Sequence, residues 1–186
     1  MTTLDWIKII NEFKSKGIKI VHRNALESLY SGTKASLSVI INRLEKKGLI
    51  RRITKDWLCF PPCEIWEIVR IVFPTAYISL EWALHYHDII DQEIKIITLV
   101  SLSKTKYIKN SYAFEIHKIS RKLYFGFDEK RIAEPEKALL DTIYLRKEVS
   151  FDLNIELLNN SRLKRYVKKF PKRVQMYVKE ILDIDI

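Results

Sequence analysis

The sequence predicts an α+β fold, with an N-terminal helix-turn-helix and hairpin followed by a mixed C-terminal domain of helices packed on a small antiparallel sheet. Residues 1–60 show helical periodicity between glycine stops and then two short β-prone runs. Beyond Pro61-Pro62 the pattern changes to longer β-prone runs and further helices. We therefore expect one domain over residues 1–62 and a second over residues 63–186.

The first elements of the N-terminal domain are two helices separated by a strand. A helix is predicted from Thr3 to Lys16, with Thr3 as its cap and Gly17 as its stop. Its apolar stripe consists of Leu4, Ile7, Ile10 and Phe13. Residues 18–22 follow as a short strand. A second helix over residues 24–30 is expected to begin at Asn24, with Glu27 completing a capping box.

The segment from Thr33 to Lys47 is the helix around which this domain is organised. It starts at a hydroxyl residue, contains no Gly or Pro, and stops at Gly48. Its inward stripe consists of Leu37, Ile40, Ile41 and Leu44. Residues 48–53 and 57–60 are β-prone runs joined by a short polar turn, which predicts a hairpin. Helix, turn, helix and basic hairpin is the order of a winged helix-turn-helix.

Positive charge is concentrated at the two ends of the chain. The formal net charge is +10, and residues 1–60 hold twelve Lys and Arg against five Asp and Glu. Residues 61–160 are close to neutral, and residues 161–186 are again basic. Because cations that neutralise phosphates release condensed counterions, the N-terminal excess favours double-stranded DNA as a partner. A solvated basic face is the alternative.

The winged-helix arrangement assigns a role to each polar residue of the predicted interface. The residues expected to reach base edges in the major groove are Lys34, Ser38 and Asn42. Those expected to face the flanking phosphates are Thr33, Ser36 and Arg43. Those of the hairpin expected to grip the backbone or enter the minor groove are Arg51, Arg52 and Lys55. An inverted-repeat operator, bound by two monomers or by a homodimer, is the expected target.

The C-terminal domain is predicted to combine helices with a three-run sheet. Helices are expected over residues 63–73, 79–87, 135–147, 152–170 and 171–182, and strands over residues 93–101, 112–120 and 122–127. Pro135 suits the first position of its helix, and Lys137 can pair with Asp141 four residues on.

A second basic cluster lies in the last two predicted helices. Its members are Arg162, Lys164, Arg165, Lys168, Lys169, Lys172 and Arg173. It is either a solvated face or a surface that contacts neighbouring DNA or a protein partner.

Three motifs of the second domain carry a family resemblance. Tyr77-Ile-Ser79 leading into Ala83-Leu84, then a β-rich stretch, then residues 133–141, resembles the AbiEi-type antitoxins of type IV, abortive-infection toxin–antitoxin systems. The resemblance covers most of residues 1–150. Hairpins of that family often carry an Arg-Gly pair before an aromatic residue, whereas Lys55-Asp56-Trp57 stands here.

The resemblance implies a particular function. An antitoxin of this kind would repress transcription of its own two-gene operon and counteract a nucleotidyltransferase-like toxin. Two alternatives stay open: a solitary winged-helix regulator with no toxin, and an interaction module that binds and inhibits a partner enzyme directly.

The sequence shows no constellation typical of an enzyme, and we expect no catalytic activity, cofactor or metal. His85 and His87 are two residues apart, which separates them on a helix. The acids and lysines of residues 128–137 are explained more simply by helix capping and pairing than by a nuclease site. Cys59 and Cys63 are expected to be buried or partly buried thiols. With no leader and no spanning segment expected, the predicted location is cytoplasmic.

Overall fold

The computed structural model describes residues 2–182, and the chain divides into two compact units. The first unit runs to Val72 and includes residues 108–112, and the second holds residues 73–107 and the chain from Ala113 onward. The division thus falls after Val72, whereas Pro61-Pro62 was the expected boundary. The helix that follows the two prolines belongs to the first unit.

The first unit consists of four helices and a three-stranded sheet. In chain order its elements are α1 (Thr3–Ser15), β1 (Ile20–His22), α2 (Arg23–Glu27), α3 (Lys34–Lys46), β2 (Arg51–Arg52), β3 (Trp57–Cys59) and α4 (Ile65–Val72). The sheet is antiparallel, with the strand order β1-β3-β2. The predicted hairpin is therefore present, and the strand before α2 pairs with its second arm.

Capping explains where these helices begin and end. Thr2 rather than Thr3 caps α1, because Thr2 and Asp5 exchange the two hydrogen bonds of a capping box. The α2 cap is His22 rather than Asn24, since the His22 ring accepts a hydrogen bond from the Asn24 amide. Thr33 caps α3 as its hydroxyl predicts. Gly48 ends α3 with φ +71°, a conformation that glycine adopts without steric cost.

The core-facing stripe of α1 differs from the predicted one at its start, while Ile10 is buried and Phe13 packs against the core as expected. Trp6 and Ile10 are the buried residues of this helix, whereas Leu4, expected inside, is 69% exposed. The indole of Trp6 occupies the core-facing position that helical periodicity alone predicts for the neighbouring aliphatic side chains. On α3 the predicted stripe is confirmed, and its buried members are Leu37, Ile41 and Leu44.

The two cysteines form a disulfide, so the expectation of free thiols is wrong. Cys59 at the end of β3 is bonded to Cys63, with the two Cα atoms 6.5 Å apart. That separation lies within the range a disulfide spans, and the pair is only four residues apart in the sequence.

The second unit packs helices on a four-stranded mixed sheet. Its elements are β4 (Ala76–Ile78), α5 (Leu80–Tyr86), β5 (Ile97–Ser101), β6 (Lys106–Lys109), β7 (Ala113–Lys118), α6 (Pro135–Arg146), α7 (Asn160–Val167) and α8 (Lys172–Leu182). The last two residues of β6 are counted with the first unit. The strand order is β4-β5-β7-β6. Since β4 and β5 are antiparallel but β5 and β7 are parallel, the expected antiparallel sheet is corrected to a mixed one.

Two further differences concern the second unit. The predicted strand over residues 122–127 is absent, because this aromatic run starts with a short 3-10 turn at Arg121–Leu123 and its rings pack inside the unit. The expected helix over residues 152–170 is shorter and becomes α7. Helix α6 is the centre of the unit, with every residue from Glu136 to Ile143 buried and with α5, α7 and α8 against it. No helix within residues 2–182 has the length and apolar character needed to cross a bilayer.

Candidate nucleic-acid interface

The outer face of α3 is an exposed basic helical surface of the first unit. Lys34, at the start of the helix, has a side chain that is 84% exposed. Its ammonium lies 3.5 Å from Glu27 on α2. Arg43 and Lys46 are also exposed, further along the helix. The residues between these cations on the outer face are small or uncharged: Ala35, Val39 and Asn42.

The hairpin after α3 places one arginine outward and one against the helix. Arg51 and Lys55 are exposed, as expected for residues that meet a polyanion. Arg52 differs, because its Nη2 donates to Asn42 Oδ1 at 2.7 Å and lies 3.3 Å from a carboxylate oxygen of Glu45. Two residues predicted to contact DNA separately are thus brought together. Arg52 joins the hairpin to α3, and its cation is largely compensated by Glu45.

The backbone of Arg52 is also fixed. Its amide donates to Ser111 Oγ at 3.0 Å, and its carbonyl accepts from the Ser111 amide at 3.1 Å. Ser111 Oγ in turn donates to Glu45 at 2.8 Å. Residues 108–112 belong to the first unit, so this contact extends the edge of the hairpin within that unit.

Helix α2 is coupled to α3 through Arg23, which the sequence reasoning missed. Arg23 Nη2 donates to Ser38 Oγ at 2.7 Å and to the Lys34 carbonyl at 3.1 Å. Its Nε pairs with Glu27 at 3.0 Å. The spacing of Arg23 and Glu27, four residues on one helix, was the available signal. Ser38 is therefore part of the helix-turn-helix frame, and its hydroxyl also donates to the Lys34 carbonyl.

The hydroxyls at the start of α3 are used in the turn. Thr33 Oγ1 accepts from the Ser36 amide at 3.2 Å, and Ser36 Oγ receives the phenolic hydrogen of Tyr30 at 3.0 Å. A Cβ at Gly32 would lie 2.5 Å from the Tyr30 ring, so a larger residue here would require that ring to move. Thr33 and Ser36, predicted as phosphate contacts, thus first serve to shape the turn that presents Lys34.

Most of the second basic cluster is held by contacts within its own unit. Arg162 pairs with Glu136 at 3.2 Å, and Arg173 donates to the Tyr144 carbonyl at 3.0 Å. Lys169 lies 4.1 Å from the centre of the Phe125 ring, and Arg165 lies 5.3 Å from that of Tyr166. The remaining members are exposed: Lys164, Lys168 and Lys172.

A separate polar cluster lies inside the second unit. The ammonium of Lys137 contacts the Asp141 carboxylate, as the four-residue spacing predicts, and donates to the Tyr77 hydroxyl at 2.9 Å. Tyr77 and Ser79 each donate to the other Asp141 oxygen at 2.8 Å. All four residues are buried. These are residues of the motifs that carry the family resemblance, and they come together from β4, the start of α5 and α6.

The environment of this cluster shifts its ionisation. Burial lowers the pKa of the Lys137 ammonium, and the neighbouring Asp141 carboxylate opposes that shift. Burial, followed by the Asp141 charge, raises the pKa of Tyr77 well above its ordinary value. The rings of Phe125 and Phe170 lie 5.1 and 5.2 Å from the ammonium. With no exposed atom on Lys137 or Asp141, the cluster stabilises the fold and offers no surface to a ligand.

The two histidines weighed as a metal pair lie close together in the second unit. His87 Nε2 lies 2.8 Å from the Ala133 carbonyl. Its neighbour His85 is on the same helix, two residues away. Among residues 2–182 there is no group of three or more His, Cys, Asp or Glu side chains arranged to hold a metal ion.

Comparisons with known proteins extend the description of the fold. No family model matches this sequence. No curated protein matches it. Among solved structures, the protein Rv2827c from Mycobacterium tuberculosis is similar, with a TM-score of 0.59 and 13% sequence identity. The alignment covers 94% of this chain and 75% of that one. At this identity the likeness concerns the fold, a mixed α+β arrangement of helices and small sheets.

Proposed function

We propose that the first unit is a winged helix-turn-helix and that the protein is a sequence-specific DNA-binding repressor. The observation that carries the proposal is the outer face of α3, where exposed cations flank small and uncharged side chains beside a hairpin with exposed Arg51 and Lys55. A helix of this kind fits the major groove, and a basic hairpin next to it reaches the backbone or the minor groove.

The contacts within the first unit refine the roles expected from the sequence. Lys34, Arg43 and Arg51 are the phosphate-binding cations, because all three residues are exposed. Asn42 reads a base edge through its NH2 group, since its carbonyl oxygen accepts from Arg52. Arg52 orients Asn42 and ties the hairpin to α3. Phosphate contacts then set the register of the protein, and Asn42 contributes sequence choice.

The antitoxin role is the more specific part of the proposal and rests on the sequence resemblance. The protein would repress its own two-gene operon through the first unit and counteract a nucleotidyltransferase-like toxin through the second. The resembling residues Tyr77, Ser79, Lys137 and Asp141 are buried. They would therefore hold β4 and α6 in place, and other residues of the unit would meet the toxin.

The DNA-binding part is tested by titrating the protein against two labelled duplexes at two salt concentrations. One duplex is the DNA upstream of its own gene and the other is a scrambled version. We expect tight binding to the upstream duplex that survives the higher salt. Arg43→Glu should abolish it, whereas Lys104→Glu, a change at an exposed lysine of the second unit, should not. Equal, salt-sensitive binding to both duplexes would contradict a repressor and favour a protein-interaction module.

The antitoxin part needs a separate test. The gene next to this one should encode a nucleotidyltransferase-like protein that arrests growth when expressed alone. Co-expression of the wild-type chain, and of the Arg43→Glu variant, should restore growth, because the proposed neutralising activity lies in the second unit. Failure of both to restore growth would leave a solitary regulator.

A further inference from the structure

Two apolar side chains stand on the outer face of α3 among its cations. Val39 is 49% exposed, and Ala35, one turn earlier, is also exposed. Residues four apart on a helix lie one above the other, so the two methyl-bearing side chains form a short apolar strip. Lys34 flanks the strip at the start of the helix, and Arg43 and Asn42 flank it on the next turn.

The fold of the first unit does not account for Val39. The buried residues of α3 that join the core are on the opposite stripe, and Val39 is outside that core cluster. A β-branched residue is also a weak helix former at an exposed position. Of the polar neighbours, Ser38 bonds Arg23, and Asn42 keeps only its NH2 group free because its carbonyl oxygen accepts from Arg52. The strip is thus the apolar part of the face that is open for contact.

We propose that Val39, together with Ala35, recognises the C5-methyl groups of thymine in the major groove. Thymine carries the only methyl group of the four bases, and it projects into the major groove, where aliphatic side chains contact it. The proposal rests on the proposed DNA-binding function and names its target. The operator carries thymine at the base steps that α3 covers, and sequence choice comes from apolar contact as well as from Asn42.

The experiment removes only the methyl group. In a duplex that the protein binds specifically, found upstream of its gene or by selection from random sequence, each thymine is replaced in turn by deoxyuridine. At one or two thymine positions, the affinity of the wild-type protein for the duplex should fall about fourfold when the contacted methyl group is removed. At every other position the affinity should stay unchanged. Val39→Ala should bind the thymine and deoxyuridine duplexes equally at the position that Val39 contacts, whereas a difference at a position that Ala35 contacts should remain. The control Leu4→Ala, which shortens an exposed apolar side chain on α1, should keep the wild-type difference.

The outcomes separate this proposal from the one it rests on. Specific binding that no deoxyuridine substitution weakens would overturn thymine recognition and leave the repressor intact. A methyl effect that stays as large as in the wild type at every position in Val39→Ala would overturn the role of Val39. Absence of specific binding to any duplex, including selected ones, would instead remove the DNA-binding function itself and this inference with it.

Discussion

Helices α3 and α6 both carry a lysine in their first turn, but they use it in opposite ways. Lys34 of α3 is 84% exposed, whereas Lys137 of α6 has no exposed side-chain surface. The acid nearest Lys34 is shared with Arg23, while Lys137 is held by Asp141 and the Tyr77 hydroxyl within a closed hydrogen-bond network. A compensated, buried charge is not available to a ligand. A charge left in water beside few acids is available to a phosphate.

The largest effect is expected from removing the buried charge of Lys137. Lys137→Met should destabilise the second unit by about 3–5 kcal/mol, because Asp141 would stay buried without its cation. Urea unfolding followed by circular dichroism measures the loss, with Lys130→Met at an exposed position as the control. Lys137→Met combined with Asp141→Leu should recover much of it. A single Lys137→Met variant as stable as wild type would contradict the assignment of a buried ion pair.

On the exposed face of α3, a substitution at Asn42 tests which residue contributes sequence choice. Asn42→Ala should relax sequence choice at a cost of ~1–3 kcal/mol in specific binding, while non-specific binding changes little. Arg52→Ala should have a similar effect, because it releases the Asn42 amide. Anisotropy titrations against the specific and scrambled duplexes measure both. A uniform loss of affinity for every sequence would show that Arg52 and Asn42 act on phosphates instead.

A substitution at Gly48 measures how much the left-handed backbone conformation at the end of α3 contributes to stability. Gly48→Ala should lower the free energy of unfolding by roughly 1–2 kcal/mol, since φ at this position is +71° and an added Cβ meets no neighbouring atom. The cost is then conformational alone. Thermal unfolding measures it beside Lys47→Ala as the control, and an unchanged transition temperature would mean that the chain relaxes at this stop.

A smaller effect concerns pH. Hydrogen bonds from Arg146 hold the pKa of Glu115 below its ordinary value of 4.5. The folded pKa is lower than the unfolded one, so the pair stabilises the fold above pH 4.5 and loses this contribution as pH falls through the folded pKa. Glu115→Gln should therefore be less stable than wild type at neutral pH. Urea midpoints should show that difference shrinking in acid, and a constant difference would contradict the linkage.

Local patterns in the sequence predicted the elements that local contacts form. The inward stripe of α3 and the pairing of Lys137 with Asp141 follow from helical spacing, and both are confirmed. The complete burial of that pair was not predictable in the same way. Its other partners, Tyr77 and Ser79, come from a distant strand. Only the folded chain brings them to α6.

Errors in the prediction have similar causes. Residues 122–127 are rich in aromatics and resemble a strand, but the Phe125 ring packs beside Lys137 instead. Strand β6 was missed because lysines interrupt its apolar pattern. The contact between Asn42 and Arg52 depends on the register of the hairpin, which side-chain periodicity on α3 does not specify.

The salt dependence of DNA binding tests the central claim most directly. One variant removes three exposed cations of the first unit: Lys34→Ala, Arg43→Ala and Arg51→Ala. A matched variant removes the three exposed lysines of the second basic cluster: Lys164→Ala, Lys168→Ala and Lys172→Ala. The measured quantity is the slope of the logarithm of the binding constant against the logarithm of salt concentration. In the first variant this slope should become shallower by about 0.9 for each phosphate that is no longer neutralised. In the second variant the slope should stay as it is in the wild type. Equal flattening in both variants, or flattening only in the second, would contradict the assignment of DNA binding to α3 and its hairpin.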